Sequence, residues 1–183
     1  MFHIVDVDNT LVFTNQLNTA GYVYALAQVG LEPRTVIPDR ITRDVVRSWY
    51  PQLTDQELGF ITSHKQAYVR THLEQTTLNL AMAHLLITQG SEYCALWTAA
   101  DPERVRLLLN FHNVTDYKAI RFSDKSVGDV VHAIQDFCAL FQCGPQDLCF
   151  YDDDPAVIQR LLDYGVYVMA ALARRKYYAS HYD

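Results

Sequence analysis

The sequence predicts an α/β protein with a mainly parallel sheet, interrupted early by a block of helices. Three observations carry this reading. Short apolar runs at Phe2 to Val7, Tyr93 to Thr98, Tyr117 to Phe122, Asp147 to Tyr151 and Val166 to Ala170 read as buried strands. Helical patterns separate the later runs, and parallel neighbours need crossovers of that length. Between Val12 and about Glu92 no convincing buried strand occurs, and the helices there are too many for one simple crossover, so they form an inserted cap over the sheet.

Asn15 to Val29 permits a helix through Leu17, Tyr22, Ala25, Leu26 and Val29, with Gly30 as its stop. Glu32-Pro33, Ile37-Pro38 and Tyr50-Pro51 punctuate the next stretch, and Ile41 to Trp49 makes one more helix. Thr54-Asp55-Gln56-Glu57 reads as a capping box ahead of a short helix, and a longer helical run, with room for one break, is expected from about Ser63 to Gln89. Asp101-Pro102 starts a helix over Arg104 to Leu109. The helix from Val127 to Phe141 buries Val130, Val131, Ile134, Phe137, Cys138 and Phe141, and the one from Ala156 to Asp163 is capped by Asp154 and ends at Gly165. Past Ala173 the basic, aromatic run Arg174-Arg175-Lys176-Tyr177-Tyr178 reads as a C-terminal helix or a loosely held end.

A chain of 183 residues, 50% hydrophobic and 20% charged, has room for one sizeable core or a core with an accessory subdomain. Fifteen basic residues against 21 acidic ones give a net charge of -6 with no long basic run, which argues against nucleic acid as the main partner. Cys94, Cys138, Cys143 and Cys149 have no paired metal-ligand spacing, and Cys94 and Cys149 lie in apolar strand runs, as buried free thiols of a reducing compartment do. The N-terminus carries no signal-peptide pattern and no apolar run reaches membrane length. The expectation is a cytoplasmic protein with no membrane partner; oligomeric state is not legible.

Chemistry concentrates where strands end. Asp6 and Asp8 follow the first strand, where ligands of open α/β sheets bind, and strand alternation would point both carboxylates to one side of Val7. Two carboxylates that close call for a cation or a shared proton. Taken alone, Asp8-Asn9 reads equally well as an ordinary turn. Thr98 ends a strand, as an anion donor or as a plain turn threonine. Lys125 precedes a helix, either as a point charge for carboxylates and a phosphoryl oxygen or as a solvated surface lysine. Asp152-Asp153-Asp154 follows the fourth strand; Asp154 suits the helix cap, whereas Asp152 and Asp153 suit oxygen ligation of magnesium better than zinc.

In that order, Asp6-x-Asp8-x-Thr10, Thr98, Lys125 and Asp152-Asp153 resemble the haloacid-dehalogenase-like (HAD) superfamily of hydrolases over nearly the whole chain. Asp6-Val7-Asp8-Asn9-Thr10-Leu11-Val12 is the most specific part. The resemblance implies a Rossmann-like three-layer α/β/α core at residues 1–14 and 89–183, with a helical cap at 15–88. It implies that Asp6 is the nucleophile and becomes an aspartyl-phosphate, and that Asp8 is the acid/base. Thr98 would hold the phosphoryl and Lys125 would neutralise charge. Magnesium would be held by Asp6, the Asp8 carbonyl, Asp152 and Asp153. Because Asp8 is present, the implied activity is hydrolysis of a small phosphomonoester and not dehalogenation; a weak binding member, or a phosphotransferase using the same aspartate, are the alternatives.

Two departures stand out. Asn9 occupies a position where glycine is common, and Lys125 is followed by Ser126-Val127-Gly128 and not by a proline-rich continuation. Substrate choice would fall to the cap. There Arg43, Arg47, His64, Lys65, Arg70 and His72 are possible anion contacts or plain surface groups, and Trp49 and Tyr50 either stack on a substrate or pack.

Overall fold

The computed structural model describes residues 1–34, 38 and 40–170. In chain order the elements are β1 (Phe2–Val5), β2 (Val12–Phe13), α1 (Asn15–Gln28), α2 (Arg43–Trp49), α3 (Asp55–Thr71), β3 (Thr77–Leu78) and α4 (Leu80–Gln89). They continue with β4 (Cys94–Thr98), α5 (Pro102–Phe111), β5 (Ile120–Phe122), α6 (Val127–Phe141), β6 (Leu148–Asp152), α7 (Pro155–Asp163) and β7 (Tyr167–Ala170). The chain divides into two compact units. One holds Met1–Val12, Asn79–Pro102 and the residues from Val114 on; the other holds Phe13–Leu78 and Glu103–Asn113.

The first unit is built on a five-stranded sheet in the order β5-β4-β1-β6-β7. Every pairing in it is parallel. This is the Rossmann-like α/β/α arrangement with an inserted helical segment. β1 is central because its residues can be buried on both faces, Ile4 and Val5 being almost fully enclosed. Strand order runs from β1 through β4 to β5, then resumes on the other side at β6, so the order reverses between β1 and β6. At such a reversal the crossover helices leave to opposite faces and open a crevice at the carboxyl ends of the strands. Asp6 directly follows β1 and Asp152 ends β6.

On one face of this sheet Ile4, Ala95, Trp97, Leu148 and Phe150 pack against Val130, Ile134 and Phe137 of α6 and Val157 and Leu161 of α7. Trp97, Phe137 and Phe150 meet edge to face, with ring centroids 5.8 to 6.5 Å apart. This aromatic layer lies directly beneath the strand ends, and so fixes the level at which Asp6 and Asp152 emerge.

The inserted unit is helical. Its core joins Tyr22, Ala25 and Leu26 of α1 with Ile41, Val46, Leu58 and Ile61. The helix boundaries over Asn15–Gln28 and Arg43–Trp49 follow the sequence pattern closely. Gly21 lies at the crossing of α1 and α3, where an added Cβ would stand 3.3 Å from Lys65 Cγ and 3.4 Å from Val69 Cγ2. Close helix approach explains a glycine in mid-helix that propensity alone disfavours.

The segment from Thr54 to Gln89 has the one expected break and ends where expected, but differs in where its first helices begin and end. The capping box is present, with Thr54 Oγ1 accepting from Glu57 N and Glu57 Oε2 accepting from Thr54 N at 2.8 Å. It opens one long helix that runs to Thr71, and no helix begins at Ser63. A 3-10 turn at Leu73–Gln75 and the short β3 then separate α3 from α4. β3 had no signal in the sequence because two residues cannot show alternation. Thr54→Ala removes the cap from the N-terminus of α3 and is expected to cost about 1 kcal/mol in urea unfolding. The basic run at 174–178 lies outside the described residues.

Candidate active site

The sequence after β1 does not continue as strand. The Leu11 amide donates to the carbonyls of Asp6 and Val7, and the Val12 amide donates to Val7, so residues 7–10 form a tight turn. Asp8 therefore leaves the strand alternation that the sequence suggested and sits partly exposed on this turn. Asn9 adopts a left-handed backbone with φ 59°. Glycine, asparagine and aspartate tolerate that conformation, which accounts for asparagine where glycine would otherwise stand. Asn79 ties the turn down, its side chain donating to the Thr10 carbonyl at 2.8 Å and its amide to Leu11.

Three predicted residues meet around one buried ammonium. Lys125 Nζ donates to Asp6 Oδ1 at 2.6 Å and to Asp152 Oδ2 at 2.7 Å. All three side chains are at least nine-tenths buried. Asp153 completes the group: one carboxylate oxygen from each of Asp6, Asp152 and Asp153 lies within 4.8 Å of the others. Asp152 Oδ1 also accepts from the Asp154 amide at 2.9 Å, and Asp154 caps α7 through Ala156 N. Burial, helped by the charges of Asp152 and Asp8 and opposed by Lys125, pushes the Asp6 carboxyl up to about 7. Burial opposes the Lys125 charge, but Asp6 and Asp152 outweigh it and raise that group above its ordinary value. One ammonium cannot balance so many carboxylates in so small a buried volume.

This donor set fits a hard divalent cation. It is all oxygen and has a charge deficit that a dication would relieve, which suits magnesium.

Thr98 is fully buried at the end of β4, and its Oγ1 accepts from the Ala100 amide at 3.2 Å. The hydroxyl proton stays available to donate. The Lys125 ammonium is thus shared between two carboxylates, and Thr98 stands at the neighbouring strand end.

Sequence reasoning missed the residues that hold Lys125. Lys125 itself is left-handed, with φ 55°, an unusual state for a lysine. Its peptide is latched on both sides: the amide donates to Asp129 Oδ2 at 3.2 Å, and the carbonyl accepts from Arg160 at 2.7 Å. Asp129 is held in turn by Arg121 at 2.7 Å, and Arg121 also pairs with Asp136 at 2.9 Å and donates to Ser123. Ser123 accepts from Trp97 Nε1 at 2.7 Å, and the Trp97 ring lies 5.0 Å from Lys125 Nζ. The Ser126-x-x-Asp129 pattern at a helix start was a usable signal, yet its aspartate caps Lys125 instead of Ser126. Arg160→Ala removes one latch and is expected to cost about 1.5 to 3 kcal/mol in urea unfolding, the size of a hydrogen bond made by a charged group.

Of the cap residues, Arg47 pairs with Asp55 and Arg70 with Glu103, both on the surface. His72 stacks on Tyr68 at 3.9 Å, and His64 lines an apolar cleft with Val29 and Phe60. Trp49 and Tyr50 pack against the core of the inserted unit. Lys65 is buried with its ammonium 5.5 Å from the Tyr22 ring, and Arg104, also buried, donates to Asn18 at 3.3 Å.

No protein-family model matches the chain, and no curated protein matches it. Solved structures do. A HAD-superfamily hydrolase of subfamily IA, variant 1, from Geobacter sulfurreducens aligns over 92% of this chain and 85% of its own, at 15% identity and TM-score 0.65. The fold is that of the HAD-like hydrolases. A predicted phosphoglycolate phosphatase from Haemophilus somnus aligns over 91% of this chain and 83% of its own, at 17% identity and TM-score 0.69. A HAD family hydrolase from Deinococcus radiodurans, with bound phosphate and sodium, aligns over 92% and 79%, at 14% identity and TM-score 0.62. At such identities the likeness is one of fold. Within the HAD-like fold of this chain, the acidic cluster occupies the crevice at the strand-order reversal.

Proposed function

We propose that this chain is a magnesium-dependent phosphomonoester hydrolase working through an aspartyl-phosphate on Asp6. The observation that carries the reading is the buried Lys125 bridge between Asp6 and Asp152, beside Asp153, at the strand-order reversal of a HAD-like fold. Magnesium, held by Asp6, Asp152, Asp153 and the Asp8 carbonyl, would supply the positive charge that lets an anionic nucleophile approach an anionic phosphate.

The remaining work falls to the chain. Asp6 attacks phosphorus through the carboxylate oxygen left free by Lys125. Asp8, on its partly exposed turn, protonates the leaving oxygen and then takes a proton from the attacking water. Thr98 donates its hydroxyl proton to a phosphoryl oxygen, and Lys125 offsets charge as it builds there. Asp6, Lys125 and Asp152 are enclosed, which strengthens the interactions among their charges, while the partly exposed turn of Asp8 leaves the attacking water a way in.

The HAD-like structure from Deinococcus radiodurans that holds phosphate supports phosphate as the recognised group. We take the substrate to be a small phosphorylated metabolite. Among the described residues no helix is long and apolar enough to cross a membrane. The four free thiols support a cytoplasmic setting.

Phosphate release from a broad panel of small phosphomonoesters, with and without magnesium, tests the reading. Release that requires magnesium and is lost with a chelator is the expected result. A folded protein that binds magnesium and stays silent across the panel would point to a binding role instead.

A further inference from the structure

We propose that Cys138 and Cys143 form an oxidisable dithiol that closes to an intramolecular disulfide at the C-terminal end of α6. The backbone prepares the pair. α6 ends at Phe141, and Gln142 turns left-handed with φ 52° and ψ 47°. The Cys143 amide then reaches back to the Cys138 carbonyl at 3.1 Å. This is the six-to-one hydrogen bond of a Schellman ending, a geometry that sets the side chain of its last residue against that of its first. Apolar residues ordinarily make that contact. Here both positions are cysteine, Cys138 on the last turn of α6 and Cys143 just past its end. Both are free, partly exposed and packed on the edge of the aromatic core.

The other two cysteines are placed differently. Cys94 and Cys149 lie on β4 and β6, each in register with His3 of the intervening β1. Two strand spacings, roughly 9 to 10 Å, separate them, well beyond the reach of a disulfide. Both are also buried.

Hydrogen peroxide supplies the oxidant. One thiolate attacks the peroxide oxygen, giving a sulfenic acid and releasing water; the neighbouring thiol attacks that sulfur, forming the S–S bond and releasing a second water. Two thiols are oxidised and one peroxide is reduced. Burial, with the Asp147 carboxylate adding to it, pushes both thiols up, Cys143 to about 11, so the attacking thiolate is scarce at neutral pH and alkaline solution speeds the reaction. Cys138 lies about 17 Å along α6 from its start beside Lys125, and Cys143 lies farther, so the pair is separate from the proposed active site and does not depend on it.

The test is peptide mapping of the full chain after peroxide treatment and alkylation of the remaining thiols. Chymotryptic cleavage at Phe141 separates the two cysteines unless a disulfide joins them. The expected result is a linked pair of fragments lighter by two hydrogens, released by reductant, with Cys94 and Cys149 alkylated. Cys143→Ser should lose the linked fragment, and Cys138→Ser should do the same. Separate sulfinic acids at 138 and 143, alkylation of both, cross-linked dimers through either residue, or a Cys94–Cys149 link would each overturn the assignment.

Discussion

Asp6→Asn is expected to lower magnesium-dependent phosphate release by at least about a thousandfold while leaving the fold intact. Amide and carboxylate have nearly the same shape, so the buried site keeps its packing, but the amide cannot form an acyl phosphate that water readily hydrolyses. Stability should hold, because Asp6 is one of several carboxylates crowding a single ammonium, and burial already drives it toward its neutral form. A group whose folded pKa is raised withdraws stability as pH climbs from its unfolded value, about 3.9, toward its folded one. For Asp6 that window ends at about 7 in the metal-free protein. The variant should therefore melt no lower than the wild type at neutral pH, with the near-ultraviolet circular dichroism unchanged. Residual turnover above about one per cent in a pure sample would rule out Asp6 as the nucleophile.

Lys125→Met should lose turnover and also destabilise the metal-free protein by about 3 to 5 kcal/mol, the range found when one partner of a buried ion pair is removed. Asp6 and Asp152 would be left facing each other without a counter-charge. Urea unfolding with a chelator present gives the deficit, and adding magnesium should restore part of it. Acidification should shrink the deficit too. The raised lysine contributes fully below its unfolded pKa and is lost only at high pH, so between about pH 5 and pH 8 the change comes from the carboxylates it leaves behind. A deficit that neither magnesium nor lower pH relieves would mean that Lys125 acts through packing alone.

How much of this was legible in the sequence depended on the range of the interaction concerned. Local signals were dependable. The helix expected over Val127 to Phe141 is observed with those bounds. Asp154 caps α7, and the Thr54–Glu57 box caps α3. The fold itself was legible because apolar strand runs and their order are written along the chain. The pairing of Lys125 with carboxylates was legible only as one of two readings of a lysine before a helix, since no local pattern joins residues 119 apart. The latch from Arg160 to the Lys125 carbonyl left no trace at all: an arginine on an amphipathic helix looks the same whether it meets solvent or a loop. Asp8 leaves the strand alternation for a related reason. A two-residue period describes a strand only while the strand lasts, and β1 stops at Val5.

The central position of β1 has a kinetic consequence. β1 is made well before both of its partners: β4 begins at Cys94 and β6 at Leu148. Until both are made Phe2–Val5 keeps an open edge, and the residues of the acidic cluster are on segments that have not met. Folding of this unit is thus dominated by contacts distant in sequence, which slows the search and leaves an apolar strand exposed while synthesis continues. A chain that has not yet made β6 lacks Asp152 and Asp153, so the acidic cluster comes into being only when that second partner of β1 is in place.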